Sequence, residues 1–421
     1  MESKMMKQVW LIVLWSMSFW VPAGALAQAQ VADEKQPSLL GTVTGGKLLL
    51  NLRPRYERVE QDGKAFDANA LTLRSLLGWQ TGSFHGFSVT AQMIDVGRAH
   101  DNYEDGKNAK TQYPRVADPD NTDINQLFLD YTGLPFTRLR LGRQSIKLDN
   151  VRMVGNVEFR QVMQVFNGLS VENKSLPKTT VFAAHLERLK NIFGDQKQVK
   201  IELLNAAYQW SPGNNLIGYG HFHEQKTTAS ATGFADSSNQ ILGLRADGAY
   251  PLNETLKLLY TAEYAKQNDY ADGDARINAE YIRAGIGAGW AKYYLRIDHE
   301  LLSSNNGAYG FQTPLGTNHL FQGWADLFLT TPAQGMRDTF VSAGATLGKA
   351  KLLTEYHDFK SDVGGIHFGT ELDFGVTYPL AKGLHGRFEY ARFREDDVLA
   401  PATARKRDTD KLWVTLTYNF E

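Results

Sequence analysis

The chain has 421 residues, with 45 Lys and Arg against 46 Asp and Glu, 10 His and no Cys. That near-neutral balance gives no electrostatic footprint for nucleic acid, and the lack of thiols excludes a disulfide framework and thiolate metal centres. Folding must rest on burial and backbone pairing.

At the N-terminus, Lys4 and Lys7 precede an apolar run from Val9 to Val21, which Pro22 and Gly24 break before Ala25-Leu26-Ala27. A basic start, a short apolar stretch and small residues are the parts of an export signal, so residues 1–27 are expected to be a Sec-type signal peptide cleaved near Ala27. Residues 28–45 follow as a short leader expected to be disordered in the periplasm. Beyond the signal no stretch approaches the ~18 consecutive apolar residues that a helical membrane span requires.

From Lys47 the dominant signal is strict alternation. Leu48, Leu50, Leu52, Pro54 and Tyr56 interleave with Lys47, Asn51, Arg53, Arg55 and Glu57, which is a strand with one oily and one wet face. The pattern returns in Phe368, Thr370, Leu372, Phe374, Val376 and Tyr378 against His367, Gly369, Glu371, Asp373 and Thr377. It returns again in Leu412, Val414, Leu416, Tyr418 and Phe420 against Lys411, Trp413, Thr415, Thr417 and Asn419.

A soluble sandwich can alternate in the same way, so the connections decide. Short polar joints fall at 81–85, 132–135, 173–178, 211–215, 251–254, near Gly289, near Gly348 and at 379–383. Between them lie longer segments rich in Asp, Asn, Gly and Lys, at 97–121, 187–198, 224–239 and 395–410. Short turns at one rim and long loops at the other are the pattern of a transmembrane antiparallel β-barrel, and the spacing predicts about 18 strands over residues 46–421. Closure follows from the solvent, because each unpaired backbone group in hydrocarbon costs several kcal/mol and a cylinder has no edge. Tyr56, Trp79, Tyr131, Trp210, Tyr250, Tyr264, Trp290, Tyr378 and Tyr418 fall near strand ends, where they suit headgroup girdles or cross-strand packing equally well.

Two segments depart from the alternation. Residues 141–161 join two strands and are thick with Arg, Asn and Gln. Residues 307–337 are too long for a hairpin, and from His319 to Leu329 they carry Leu320, Trp324, Leu327 and Phe328 at helical spacing. An apolar loop of this kind is expected to fold inward and narrow the lumen, bringing His319, Gln322, Trp324 and Asp326 to a constriction.

With the oily faces outward, Arg53, Arg55, Arg74, Arg138, Arg140, Arg245, Arg283, Arg296 and Arg387 point into the lumen. They share it with Glu57, Asp130, Asp247, Glu263, Asp298, Glu355, Glu371, Asp373 and Glu389. Such charges either pair as ladders that hold the wall or attract a solute; Arg53, Arg74, Arg140 and Arg245 are candidates for the second role because a guanidinium pairs bidentately with carboxylate. His221 and His223 share a strand face but lack further ligands in sequence, so no metal is assigned. No Ser-His spacing and no phosphate-binding Gly motif supports catalysis or a nucleotide, so no catalytic residue and no cofactor are expected.

The succession Gly142-Arg143-Gln144, Leu148-Asp149-Asn150, Val154-Gly155-Asn156 and Arg160-Gln161 resembles that of the alginate export family of outer-membrane proteins. So does the succession Thr313-Pro314-Leu315, Gly323-Trp324-Ala325-Asp326 and Thr331-Pro332-Ala333. The resemblance spans most of the chain. It implies an eighteen-stranded, porin-like barrel passing an acidic polysaccharide or other polar solute through an arginine-rich constriction. Carried over by position, Arg143, Asn150, Arg152 and Arg160 are the motif residues nearest that constriction. The expected function is passive passage of anionic or polar solutes across the bacterial outer membrane, with membrane lipid and solute as the partners. A barrel that only sheathes or anchors a partner complex, and an outer-membrane hydrolase, are the alternatives.

Overall fold

The computed structural model of the protein describes residues 38–225, 233–396 and 407–420. The expected signal peptide lies outside the described residues. Of the expected leader only its last part is described, and there a short helix α1 (Leu39–Thr44) stands where disorder was expected.

Residues 42–421 form one compact unit built on a single closed sheet. Its strands are β1 (Lys47–Gln61), β2 (Ala68–Gln80), β3 (Phe87–Asn102), β4 (Asn121–Tyr131), β5 (Thr137–Gln144), β6 (Val165–Asn173), β7 (Thr179–Lys190), β8 (Gln196–Ser211) and β9 (Asn214–Glu224). They continue as β10 (Asn239–Pro251), β11 (Leu256–Asp269), β12 (Asn278–Trp290), β13 (Tyr293–Leu302), β14 (Met336–Leu347), β15 (Ala350–Lys360), β16 (His367–Ala381), β17 (Leu384–Glu395) and β18 (Thr409–Asn419). Each strand pairs antiparallel with its sequence neighbours, and β1 pairs with β18, for example Tyr56 with Val414. The even count is what lets first and last strands meet antiparallel.

The alternation in sequence becomes two faces. Leu244, Ile286, Leu372 and Val414 are exposed on the outside, while Arg55, Glu57, Asp373 and Trp413 are buried within. Trp79, Tyr131, Trp210, Tyr250, Trp290, Tyr378 and Tyr418 all fall within three residues of the C-terminal ends of even-numbered strands, so they ring the short-turn rim. Rings with one apolar and one polar edge are stable at the headgroup level. Among the described residues no helix is long and apolar enough to cross a membrane; the strands present the lipid-facing surface.

Three expectations need correction. The turn expected near Gly289 falls at residues 291–292, because β12 runs on to Trp290. Residues 187–198 are mostly strand, leaving only 191–195 between β7 and β8. Phe368 points inward, at 1% exposure, because the ladder between β15 and β16 shifts between Phe359 and Lys360, and Gly369 there takes φ +135°. A β-bulge inserts one residue and so reverses the side to which the chain beyond it points.

Substituting Leu244 with Arg, at mid-strand on the lipid face, should cost about 2–4 kcal/mol of barrel stability, against about 0–1 kcal/mol for Leu252→Arg in the short turn after β10. Urea titration of the protein refolded into lipid vesicles measures both.

Candidate functional site: a two-loop constriction in the lumen

Two loops meet inside the barrel, residues 145–164 between β5 and β6 (L3) and residues 303–335 between β13 and β14 (L7). L7 folds inward as expected, with His319, Gln322, Trp324 and Phe328 all buried. It is not helical. Only Asn318–Leu320 form a 3-10 turn, and Leu320 stays exposed. The helical spacing fails because Gly323, at φ +78°, turns the chain so that its amides meet the barrel wall.

Those amides answer a row of carboxylates. Trp324 N–H donates to Asp373 Oδ2 at 3.2 Å, Ala325 N–H donates to Glu371 Oε1 at 2.6 Å, and the Gln322 amide donates to Glu300. A Cβ on Gly323 would lie 2.5 Å from the Glu371 carboxyl carbon, so the approach requires glycine. Below the same stretch, Phe328 packs among Phe359, Phe368 and Phe393. The inward turn of Phe368 thus supplies the floor on which L7 rests.

L3 does the converse. Arg53 and Arg74 sit directly opposite each other on β1 and β2, with Arg55 two residues on, so three like charges share one sector. L3 presents successive carbonyls to them: Arg53 Nη1 donates to Glu158 O at 2.7 Å, Arg55 Nη1 to Phe159 O at 2.6 Å, and Arg53 Nη2 to Arg160 O. Arg53 Nε adds a bond to Gln161 Oε1 at 2.8 Å, and the Arg55 guanidinium lies 4.3 Å over the Phe159 ring. Val157, at φ +51°, turns the loop into this position, a conformation that a β-branched residue adopts only under constraint.

The loops also bind each other. Gly155 N–H donates to Leu315 O at 2.8 Å and Thr317 N–H to Val151 O at 2.9 Å. Arg160 joins Glu57 of β1 at 3.1 Å and Asp326 of L7 at 2.6 Å, while His319 bonds Asp326 at 2.9 Å and stacks on Phe159 with centroids 3.3 Å apart. Arg152, at 1% exposure, pairs with Glu300 of β13 at 3.0 Å. Burial alone would raise the Asp326 carboxyl, but His319, Lys411 and Arg160 outweigh it and hold the group well below the usual carboxylate range. Burial lowers His319, against the pull of the Asp326 carboxylate that it bonds.

Of the residues singled out from sequence, the structure brings together Arg53, Arg152, Arg160, His319, Gln322, Trp324 and Asp326, with Arg74 beside Arg53. It does not bring the others there. Arg143 lies on the strand parity of exposed Leu141, donates to Ile124 O at 2.8 Å and meets Asp123, which Lys190 also reaches. Asn150 is a turn residue whose side chain accepts from Arg152 N–H at 3.2 Å. Arg140 forms a two-pronged pair with Asp130, at 2.7 and 2.9 Å, and Arg245 pairs with Asp247 on its own strand. Sequence reasoning passed over Glu57, Asp118 and Glu300 as partners of this junction, although Glu57 stood on the wet face beside Arg55. Asp118 belongs to the loop after β3, accepts Gln161 N–H at 2.7 Å and lies 3.9 Å from Arg160.

Cavities remain on both sides of the junction. Toward the short turns, one of about 280 Å³ is lined by Arg138, Arg140, Lys147 and Asn205, and one of about 410 Å³ by Lys47, Arg74, Gln126 and Lys147. Toward the long loops, one of about 320 Å³ is lined by Lys197, His223, Gln225, Asn239 and Gln312.

A closed sheet with an apolar outer band, a charged lumen and loops folded into it defines an outer-membrane β-barrel of the porin kind. The sequence profile for alginate export matches residues 50–299, more than half of the chain, and the protein belongs to that family. Solved structures share the fold: OccAB3 of Acinetobacter baumannii, at TM-score 0.68 and 13% identity, covers 90% of this chain and 100% of its own. OpdK of Pseudomonas aeruginosa, solved with vanillate, gives 0.67 and 13% over 90% and 100%; OccK2 (OpdF) of Pseudomonas aeruginosa, in complex with glucuronate, gives 0.67 and 13% over 90% and 97%. No curated protein matches the sequence.

Replacing Asp326 with Asn removes the charge that joins the two loops and leaves Arg160 with Glu57 as its close partner. Breaking one side of a buried pair costs about 3–5 kcal/mol, so L7 should loosen, with larger and noisier single-channel conductance and faster proteolysis within 303–335. Because the Asp326 pKa is depressed, its contribution is complete above the ordinary carboxylate value of about 4 and is lost only as pH falls through the lowered one. Conductance should accordingly hold steady between about pH 7 and 5, with loop release confined to stronger acid.

Proposed function

We propose that this protein is a passive outer-membrane channel for small carboxylate-bearing solutes, with acidic sugars as the class it fits best, and that residues 1–27 direct its export. The observation that carries this reading is the basic sector. Arg53, Arg55 and Arg74 stand together on β1 and β2, and the two cavities on the short-turn side add Arg138, Arg140, Lys147 and Lys47 to the same approach. Vanillate and glucuronate, held by the fold relatives OpdK and OccK2, both carry a carboxylate.

The residues divide by role in this reading. Arg152 and Arg160 are consumed by Glu300, Glu57 and Asp326, so they set the shape of the constriction and its loop positions. Arg74 and Lys147 supply the potential that a solute meets in the lumen, Arg140 is held by Asp130, and Arg245 faces the L3 carboxylate Asp149. Arg143 steadies the β4–β5–β6 wall through Asp123 and Asn167. A guanidinium stays charged at every working pH, and several weak basic sites in series pass an anion without trapping it.

Planar-bilayer recording tests this. Wild-type channels in a KCl gradient should prefer anions and be blocked by glucuronate more strongly than by neutral glucose. Lys147→Glu, at a half-exposed position lining both short-turn cavities, should move the reversal potential toward cations and weaken glucuronate block roughly tenfold, or about 1.4 kcal/mol. Equal block by glucuronate and glucose would remove the basis for the anionic class, and a barrel that never conducts would favour the sheathing alternative.

A further inference from the structure

The acidic sector of the wall holds a group that the channel reading does not use. Glu355 and His357 of β15 face the lumen, and their direct cross-strand partners on β16 are Asp373 and Glu371. On the other side of β15, Asp338 of β14 reaches the same imidazole. Four carboxylates therefore crowd one His. Like charges directly opposite in a ladder repel, and the Glu355–Asp373 pair is such a contact.

The imidazole is oriented as a ligand. His357 Nδ1 bonds Asp338 at 2.9 Å, which fixes the ring and leaves Nε2 directed at Asp373, 3.7 Å away and beyond hydrogen-bond reach. His357 is 3% exposed, and its Nε2 has no hydrogen-bond partner. An unpartnered, buried nitrogen aimed between two carboxylates is a costly arrangement unless a cation lies there.

The donor atoms are close enough. One atom each from Glu355, His357 and Asp373 lies within 4.8 Å of the others, the one such His/Cys/Asp/Glu group among the described residues. Tetrahedral ligands at about 2.1 Å from one ion lie about 3.4 Å apart, so a closing of no more than about 1.4 Å completes the set. A carboxylate behind the ligating imidazole is the usual outer partner of such a site. Imidazole with two carboxylates suits a first-row divalent ion of the zinc type, whereas calcium and magnesium take oxygen alone.

We infer that Glu355, His357 and Asp373 form a binding site for a zinc-type divalent cation in the lumen wall. Asp373 Oδ2, the oxygen nearest His357 Nε2, already accepts Trp324 N–H, so the ion would stiffen the carboxylate from which L7 hangs.

The test is Co²⁺ titration of the EDTA-treated full-length barrel in detergent, followed by visible absorption. Expected are saturable 1:1 uptake, d–d bands of low-coordinate Co²⁺, displacement by Zn²⁺ and indifference to a large excess of Ca²⁺. His357→Gln should abolish the bands, Glu355→Gln should weaken uptake at least tenfold, and Asp338→Asn, which only positions the ring, should weaken it about 10–100-fold. Absence of saturable uptake by the wild type, or His357→Gln binding as the wild type does, overturns the site. Should His357→Gln fail to fold, judged by heat-modifiable gel mobility, pulsed EPR of the Cu²⁺-loaded wild type decides: one coupled imidazole nitrogen supports the site, and none refutes it.

Discussion

The pairing of β1 with β18 is the contact from which the rest of the molecule follows. Asn51 to Gln61 run against Thr409 to Asn419, and without that ladder the two strands would leave rows of amides and carbonyls in hydrocarbon, each costing several kcal/mol. The seam is imperfect in an instructive way. Its ladder skips Arg53 and Pro54, because proline has no N–H to give, whereas on the β2 side the register is continuous through Pro54 and Leu73. The lost bond lies beside Arg53, whose guanidinium is instead engaged by L3. Seam and constriction therefore share a residue neighbourhood.

Closing the sheet creates an interior whose wet faces cannot all reach bulk water. Bringing an ion out of water costs several kcal/mol even after relaxation, so each buried charge needs a partner. Where a neighbour on the wall supplies one, as with Arg140 and Asp130 or Arg283 and Asp298, the pair closes locally. Two sectors cannot close in this way. The arginines of β1 and β2 outnumber nearby acids, and the carboxylates of β13 to β17 outnumber nearby bases. The loops make up the difference with backbone dipoles, L3 offering carbonyls to the first sector and L7 amides to the second. Their positions in the lumen are thus set by the charge the wall leaves over, and the Arg160–Asp326 contact joins the two solutions.

This division also explains which parts were legible in sequence. Strand parity and turn spacing are local, so the eighteen strands, their lipid faces and the short-turn rim could be read from Leu48 to Tyr56 and from the eight short joints. The inward fold of L7 was legible because Trp324 and Phe328 had no other apolar refuge. Its conformation was not, because the partners of its amides are Glu371 and Asp373, dozens of residues away and visible only as charges on a strand. Phe368 misled for a different reason: a bulge shifts parity without changing composition. Arg143 matched the family motif by position, yet one residue of parity separates it from Arg140 and Gln144, which do face inward. Motif order carries chemistry only after the strand has said which way each residue points.

Position in the lumen is enforced twice over, and the two anchors are separate in sequence. Residues 313–317 of L7 are tied to L3 through Leu315 and Thr317, whereas 322–326 are tied to the wall and to Arg160. Glycines mark both contacts: Gly155 lies so close to Thr317 that a Cβ would sit 2.1 Å from its hydroxyl oxygen, and at Gly323 a Cβ would sit 2.5 Å from the Glu371 carboxyl carbon. Backbone at such range leaves no room for gradual sliding, so each anchor is either made or broken. Because the Leu315 and Thr317 contacts are separate from those of Asp326, loss of one anchor leaves the other holding part of L7 in place. Neighbouring contacts of this kind couple energetically and do not simply add. The two anchors accordingly hold L7 at separate points, one against L3 and one against the wall and Arg160, within a barrel whose own strand pairing does not depend on either.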